Sequence, residues 1–241
     1  MTPAWPPDRA RFAGLRIIGD VHGEAAAFDA AIAGAAALGL FVLQLGDLTD
    51  HGPDSPAVLR AIFALQDAQA GMFLLGNHDH RLRRALIGRS LAITQGLDAT
   101  LAQLAEAPDR AALTNRAIAA IAAAPAWAGL RSHRFIHAAW HPAMEIALPP
   151  PDAGATRVTP PVARAIYGEV TGRHGPDGFP ERRHDWIDLL PRGITAYVGH
   201  ERRDVPTAWP GAAGGVAHFL DTGAGKGGFL SWRDLRWEEI A

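Results

Sequence analysis

The sequence predicts an α/β fold with a parallel sheet and a helical segment after its third strand. Three observations lead to this prediction. Short β-like runs alternate with helical stretches at the start of the chain, three of these runs end in glycine followed by aspartate or asparagine, and the chain then becomes almost wholly helical. The 241 residues suffice for one such domain, so we predict a single domain over residues 1–241.

The predicted elements follow one another in a regular order. Strands over 15–18, 40–45 and 72–75 are separated by helices over 24–38 and 55–66. A helical insertion is expected from about residue 80 to 125, because alanine, leucine and arginine dominate there.

Short β-like runs return in the second half of the chain. They are predicted at 134–136, 194–198, 216–220 and 229–232. The glycine-rich segment 223–228 lies between the last two of these runs. We interpret it as a hairpin turn rather than a phosphate-binding loop, because such a loop requires a following helix.

Composition excludes several classes of function. The formal net charge is −2, so the whole molecule has no cationic field to hold it on nucleic acid or on an anionic membrane. Cysteine is absent, which excludes thiol nucleophiles and zinc–thiolate sites, and Lys226 is the single lysine. The longest uncharged apolar run, residues 30–43, is shorter than the roughly 18 residues of a membrane span, and we expect a soluble cytoplasmic protein.

Polar residues follow the predicted strands at recurring positions. Gly-Asp-Val-His-Gly occupies 19–23, Gly-Asp-Leu-Thr-Asp-His-Gly occupies 46–52, and Gly-Asn-His-Asp occupies 76–79. A histidine follows the strand at 134–136, and Gly-His stands at 199–200. Because the carboxyl ends of parallel strands meet at one edge of a sheet, these side chains are expected to converge. Their oxygens and imidazoles are typical ligands of divalent cations.

Taken in this order, the motifs resemble the signature of calcineurin-like metallophosphoesterases, and the resemblance extends from residue 19 to 221. Segments 50–60, 76–89, 167–172 and 220–223 are most similar to the phosphatase module of bacterial polynucleotide kinase-phosphatases. The resemblance implies a four-layer αββα sandwich, with the helical insertion after the third motif. No Gly-x-x-x-x-Gly-Lys-Ser/Thr occurs, so no kinase module is expected within these 241 residues.

The resemblance also implies two divalent metal ions, expected to be Mn²⁺, with Fe, Zn, Mg and Ni as alternatives. By this resemblance, the first metal is bound by Asp20 and His22, both metals are bridged by Asp47, and the second is bound by Asn77, His137 and His200. A carboxylate suits the bridge, because its two oxygens and its charge hold two cations about 3.5 to 4 Å apart. A water molecule shared by two cations is activated for in-line attack on phosphorus as a bridging hydroxide.

The leaving oxygen needs a proton, and His78 is the candidate general acid because it is adjacent to Asn77 in the sequence. Asp79 is predicted to orient His78 and to hold its charge. Asp221 resembles a carboxylate that fixes a metal-binding imidazole. For a diester substrate, the resemblance gives His22 as a second proton donor.

One position departs from the family pattern. In the related phosphatases the second motif reads Asp-Arg-Gly, and the arginine clamps the substrate phosphate, whereas position 51 here is histidine. Two interpretations of His51 stay open: it contacts phosphate, or it is a loop residue without a role. Arg84, Arg164 and Arg202 are further candidates for phosphate binding, and the alternative for Arg84 is an exposed helix face.

We therefore predict a dinuclear metal-dependent phosphoesterase that hydrolyses phosphate mono- or diesters. RNA or DNA ends and nucleotides are the expected phosphorylated substrates. The alternatives are a serine/threonine protein phosphatase and a dinucleoside polyphosphate hydrolase, which a substrate panel would separate. A non-catalytic scaffold is disfavoured, because every predicted ligand position holds a competent side chain.

Overall fold

The structure, a computed structural model, describes residues 5–91, 96–175 and 180–240. Its strands are β1 (Gly14–Ile18), β2 (Leu40–Gln44), β3 (Gly71–Phe73), β4 (Trp127–Leu130), β5 (His133–Ile136), β6 (Val170–His174), β7 (Pro180–Arg182), β8 (Thr195–Val198), β9 (Thr207–Pro210), β10 (Val216–Phe219) and β11 (Trp232–Arg236). Its α-helices are α1 (Ala25–Ala37), α2 (Ser55–Asp67), α3 (Asn77–Leu86), α4 (Leu97–Glu106), α5 (Arg110–Ala123), α6 (Pro160–Tyr167) and α7 (Asp185–Asp188). Short 3-10 helices span Pro142–Glu145 and Trp237–Ile240.

The strands form two larger sheets and one small two-stranded sheet. The first sheet has the order β11-β1-β2-β3, the second has the order β4-β5-β8-β10-β9, and β6 pairs with β7. Within the first sheet β1, β2 and β3 are parallel, and within the second sheet β5, β8 and β10 are parallel. The remaining strands of both sheets pair antiparallel at the edges.

The two sheets pack face to face, because alternate side chains of each strand point to opposite faces. Ile17 and Phe41 of the first sheet share one buried cluster with Phe135 and Tyr197 of the second. On the other faces, the strands share a second buried cluster with residues of the helices. The predicted four-layer αββα sandwich is therefore confirmed.

Helices follow the third motif, as predicted. Three helices, α3, α4 and α5, lie in or next to the segment 80–125, and residues 92–95 of that segment lie outside the described residues. Helix α3 begins at Asn77, earlier than predicted, so the third motif forms its first turn. No helix in the described ranges combines the length and apolar character needed to cross a bilayer. The organisation of residues 1–241 as one domain stays a prediction.

The predictions for the last strands were wrong in two respects. Strand β11 spans Trp232–Arg236 rather than 229–232, and it belongs to the first sheet, whereas β10 belongs to the second. The segment 223–228 is therefore not a hairpin turn but a crossing from one sheet to the other. The cause is a long-range pairing: β11 lies antiparallel to β1, where Leu235 joins the core between the sheets.

Other elements lie where no element was predicted. Strands β4 and β9 form the two edges of the second sheet, and α6 begins at Pro160. Proline is tolerated there because the first turn of a helix needs no internal N–H donors. These differences do not disturb the five parallel strands whose ends carry the motifs.

Phe41→Ala tests the core between the sheets. The Phe41 side chain is 1% exposed and packs edge-on against Phe12, with ring centroids 5.4 Å apart. We expect the free energy of unfolding in urea to fall by about 3 to 5 kcal/mol, because the substitution leaves a cavity. Phe229→Ala is the matched control, since Phe229 is 51% exposed and its loss should change stability by less than about 0.5 kcal/mol. Equal effects of the two substitutions would contradict the assignment of this core.

Candidate metal centre

The motifs meet where the parallel strands end. The first motif follows β1, the second follows β2, and Asn77 lies a few residues beyond β3. From the second sheet, His137 follows β5 and His200 lies two residues beyond β8. Because the two sheets face each other, these ends bring side chains from both sheets to one place.

The strained backbone conformations of these loops are concentrated at the site. Among the described non-glycine residues, seven have positive φ, and five of these are His22, Asp47, Asp50, His51 and His200. Such backbone conformations persist only where the surrounding structure enforces them, and they cluster at functional sites.

Two glycines allow the predicted ligands to approach the backbone closely. A Cβ atom at Gly76 would lie 2.2 Å from Oδ1 of Asp47, and one at Gly199 would lie 2.1 Å from Oδ1 of Asp20. Both distances are too short for any other residue. Replacement of either glycine would therefore displace a carboxylate.

The first group of donors consists of Asp20, His22 and Asp47, all of them buried. Nε2 of His22 lies 3.7 Å from Oδ2 of Asp20 and 3.8 Å from Oδ2 of Asp47. Nδ1 of His22 is 2.8 Å from the carbonyl oxygen of Thr49, to which it donates. The lone pair of Nε2 is therefore left to face the two carboxylates.

The second group adds Asn77, His137 and His200 to Asp47. Nε2 of His137 lies 3.0 Å from Oδ1 of Asn77, 3.1 Å from Nδ1 of His200 and 3.4 Å from Oδ2 of Asp47. The backbone N–H of His200 donates to both carboxylate oxygens of Asp20, at 3.0 and 3.1 Å. This bond links the first group to the second.

The donors fit divalent cations. Nδ1 of His137 lies 3.1 Å from the carbonyl oxygen of Leu45 and donates to it, so its Nε2 offers a lone pair to a place that oxygens of Asn77 and Asp47 also face. Facing lone pairs repel one another unless a cation lies between them. The pKa of Asp20 is raised mainly by burial and then by the charges of Asp221 and Asp47. A nearby cation would offset this effect.

Asp47 lies at the centre of the arrangement. Burial alone would raise the pKa of this carboxyl, but the charges of His137, His78, His22 and His200 outweigh burial and hold it below its usual value. Asp47 is the one residue that belongs to both the Asp20–His22 group and the His137–His200 group. This is the position that a bridging carboxylate requires.

His78 lies at the edge of the donor groups. Its Nδ1 donates to Oδ2 of Asp50 at 2.5 Å, and its Nε2 lies 4.0 Å from Oδ2 of Asp47. Burial lowers the pKa of His78, but the charge of Asp47 and the hydrogen bond and charge of Asp50 outweigh it, so the pKa lies above its usual value. A raised pKa favours the protonated ring that a general acid needs.

The predicted role of Asp79 is wrong. Its carboxylate accepts hydrogen bonds from the backbone N–H groups of Asp47, Leu48 and Gly76, at 2.8, 3.0 and 3.0 Å. Burial and the charge of Asp47 raise the pKa of Asp79 to about 7. Asp79 therefore joins the second motif to the start of α3, and Asp50, which sequence reasoning missed, orients His78.

For Asp221, the structure gives a backbone partner, and its predicted role toward a metal-binding imidazole stays a prediction. Oδ1 of Asp221 accepts a hydrogen bond from the backbone N–H of Gly223 at 2.8 Å. Backbone carbonyls of Thr49 and Leu45 fix the imidazoles of His22 and His137. After burial, the charge of Asp221 is the next largest cause of the raised pKa of Asp20.

The four candidates for phosphate binding fall into two classes. His51 lies at the site, with its ring centroid 5.2 Å from that of His22 and 5.6 Å from that of His78. The arginines have other neighbours: Arg164 pairs with Glu169 at 2.6 Å, Nη1 of Arg202 donates to the carbonyl of Lys226 at 3.0 Å, and Arg84 is exposed on α3.

Two cations at the site were missed by sequence reasoning. Nζ of Lys226 lies 2.9 Å from Nε2 of His22. The pKa of His200 is lowered mainly by burial and then by the charges of His137 and Arg182. The charge of Arg182 therefore acts on the second donor group. The signal for Lys226 was its glycine-rich segment, whose interpretation as a hairpin turn hid it.

Comparisons with known proteins agree with the geometry. The family described as "Calcineurin-like phosphoesterase" matches residues 15–114. Two similar curated proteins, from Geobacillus thermodenitrificans (30% identity) and a Geobacillus sp. (29% identity), are each named bis(5'-nucleosyl)-tetraphosphatase PrpE [asymmetrical]. In both cases 81% of this chain and 75% of the relative are covered.

A solved structure with the same fold is a protein serine/threonine phosphatase from Saccharomyces cerevisiae. It superposes with a TM-score of 0.58 at 14% identity and covers 89% of this chain and 69% of its own. At this identity the likeness concerns the fold alone. The sequence match to the curated relatives goes further, and with the family match it shows that the chain belongs to the calcineurin-like phosphoesterase family and is a metal-dependent phosphatase.

Proposed function

We propose that this chain hydrolyses dinucleoside tetraphosphates with the help of two divalent cations, Mn²⁺ being the proposed metal. The observation that carries the proposal is that relatives aligned with 81% of the chain bear the name of bis(5'-nucleosyl)-tetraphosphatases. The convergence of oxygen and nitrogen donors from both sheets supports it.

In this proposal each donor group holds one cation. Asp20 and His22 would hold the first, and Asn77, His137 and His200 would hold the second. Asp47 would be shared by both cations, since its Oδ2 lies 3.8 Å from Nε2 of His22 and 3.4 Å from Nε2 of His137. Bound divalent cations activate water for attack on phosphorus and neutralise the charge that develops on phosphate oxygens.

The remaining steps belong to side chains of the chain itself. His78 protonates the leaving oxygen from Nε2, because its Nδ1 is engaged by Asp50. The Asp50 carboxylate keeps the ring in this orientation and stabilises its charged form. For a tetraphosphate the leaving oxygen belongs to a phosphate group and needs less help from an acid than an alkoxide does.

Two other substrate classes predicted from the sequence remain to be tested. The motif likeness to polynucleotide kinase-phosphatases suggests phosphorylated RNA or DNA ends as substrates, and the alternative of a protein phosphatase suggests phosphopeptides. Both compete with dinucleoside tetraphosphates in the experiment below.

Metal-depleted protein should not hydrolyse diadenosine tetraphosphate, and addition of Mn²⁺ should restore turnover, because water is a weak nucleophile without the cations. Chromatography of the nucleotide products measures the rate and identifies the bond that is cleaved. Mg²⁺, Zn²⁺, Ni²⁺ and Fe²⁺ are compared at equal concentration, and metal-depleted protein in the same buffer is the control.

The same panel contains phosphorylated RNA ends and phosphopeptides. The proposal fails if the Mn²⁺-loaded protein cleaves one of these about 100-fold faster than diadenosine tetraphosphate, or if turnover does not depend on added metal.

A further inference from the structure

Lys226 is the single lysine of the chain, and it reaches the first donor group. Its Nζ donates a hydrogen bond to Nε2 of His22 at 2.9 Å, although its backbone lies in the exposed segment between β10 and β11. Its charge also acts on Asp20, whose pKa it lowers against the larger effects of burial and neighbouring carboxylates. A lysine side chain therefore borders the candidate metal centre.

The backbone around Lys226 is held in place. Its carbonyl accepts a hydrogen bond from Nη1 of Arg202 at 3.0 Å, and its N–H donates to the carbonyl of Gly223 at 2.9 Å. Gly225 packs so closely on the first motif that a Cβ there would lie 2.5 Å from the carbonyl oxygen of His22. The segment thus presents the lysine side chain at a defined distance from His22.

The hydrogen bond with His22 uses the lone pair that a metal ion would need. Nδ1 of His22 donates to Thr49, so Nε2 is the only nitrogen of that ring that can bind either the ammonium group or a cation. The positively charged ammonium group of Lys226 and a metal cation bound to Nε2 of His22 would also repel each other at such short range. With a cation on His22, the Lys226 ammonium must turn away, and a nearby anion is the partner that its charge favours.

Two arginines that were predicted to bind phosphate have other partners. The predicted phosphate ligands Arg164 and Arg202 bind Glu169 and the Lys226 carbonyl instead. His51 borders His22, but an imidazole is a weaker and less constant cation than an ammonium group.

We propose that Lys226 is a substrate-binding residue whose ammonium group holds a phosphate of the substrate beside the first metal position. The proposal rests on the proposed function and deepens it, because a lysine at this rim favours highly charged substrates such as polyphosphates. Lys226 does not take part in bond cleavage. It lowers the KM by attracting and positioning an anion.

Lys226→Gln tests the proposal through binding rather than turnover alone. Titration calorimetry of inorganic phosphate into Mn²⁺-loaded protein should show a Kd raised about 10-fold or more, as expected for the loss of one charged hydrogen bond. The KM for diadenosine tetraphosphate should rise by a similar factor, while kcat stays within about threefold and the bound Mn²⁺ is unchanged. Arg110→Gln removes a distant exposed charge and should leave all these quantities as they are.

Two further variants separate charge from structure. Lys226→Arg should retain phosphate affinity, because it keeps the charge. In Lys226→Gln combined with His51→Arg, phosphate affinity should recover, because position 51 borders the same imidazole ring, 5.2 Å away. Recovery by an arginine supplied from another loop would exclude a purely structural role of the lysine.

The proposal is overturned if Lys226→Gln binds phosphate as the wild type does. It is equally overturned if the only effect is tighter Mn²⁺ binding, since Lys226 would then merely compete with the metal for His22. If the wild type binds phosphate but leaves diadenosine tetraphosphate intact, the proposed function fails, and the phosphate titration still decides the role of Lys226.

Discussion

Asp47→Asn is expected to lower kcat at least about 100-fold and to reduce the bound metal. The carboxylate belongs to both donor groups, with Oδ2 facing His22 and His137. The asparagine side chain keeps one oxygen but loses the negative charge that two neighbouring cations require. Its oxygen can still accept the backbone N–H of His78, which Oδ1 of Asp47 accepts at 2.8 Å, so the loop should keep its shape.

The measurement combines metal analysis with kinetics. Bound Mn²⁺ is determined by mass spectrometry after gel filtration, and kcat is determined with p-nitrophenyl phosphate. Asp67→Asn is the matched control, because Asp67 lies at the exposed end of α2 and pairs with Arg116. If Asp47→Asn retains two metal ions and activity within tenfold of the wild type, the assignment of Asp47 as the bridge is wrong.

Local sequence signals predicted the part of the site that follows the strands. Apolar runs ending in glycine and an acid or amide marked the ends of β1, β2 and β3, and parallel pairing then brings those ends to one edge. Helix α2 was also predictable from local sequence signals. Asp54 precedes it and accepts the N–H of Ala57, and Pro56 lies in its first turn.

What depends on long-range pairing could not be predicted in this way. Whether β11 follows β10 in the same sheet or crosses to the other is decided by its pairing with β1, in which Gly14 lies opposite Arg236. No local signal reports such a pairing. The crossing carries Lys226 to the candidate metal centre, so one wrong interpretation of a turn also concealed a candidate substrate-binding residue.

The error about Asp79 has a different cause. Adjacent residues of a helix point in different directions, so Asp79 at the third position of α3 turns back to the N–H of Gly76 instead of facing the ring of His78. The partner of His78 comes from the second motif, where the positive φ of Asp50 helps to direct its side chain. Adjacency in sequence was therefore a poor guide to adjacency in space.

His78→Ala should lower kcat by about 100-fold or more for an alkyl phosphate, the range of general acid catalysis, while the bound Mn²⁺ stays unchanged. The loss should be smaller for p-nitrophenyl phosphate, whose leaving group is stable without a proton. Asp50→Asn should reduce kcat in the same direction but less, because the imidazole remains and loses only the carboxylate, 2.5 Å away, that orients it and favours its charge.

The two substitutions should not be additive. Once His78 is absent, Asp50 has no ring to orient, so the double variant should be about as active as His78→Ala alone. His174→Ala removes an exposed imidazole on β6 and should leave kcat unchanged. Equal losses of His78→Ala on both substrates, together with a fall in bound Mn²⁺, would show instead that His78 supports the metal centre and does not donate the proton.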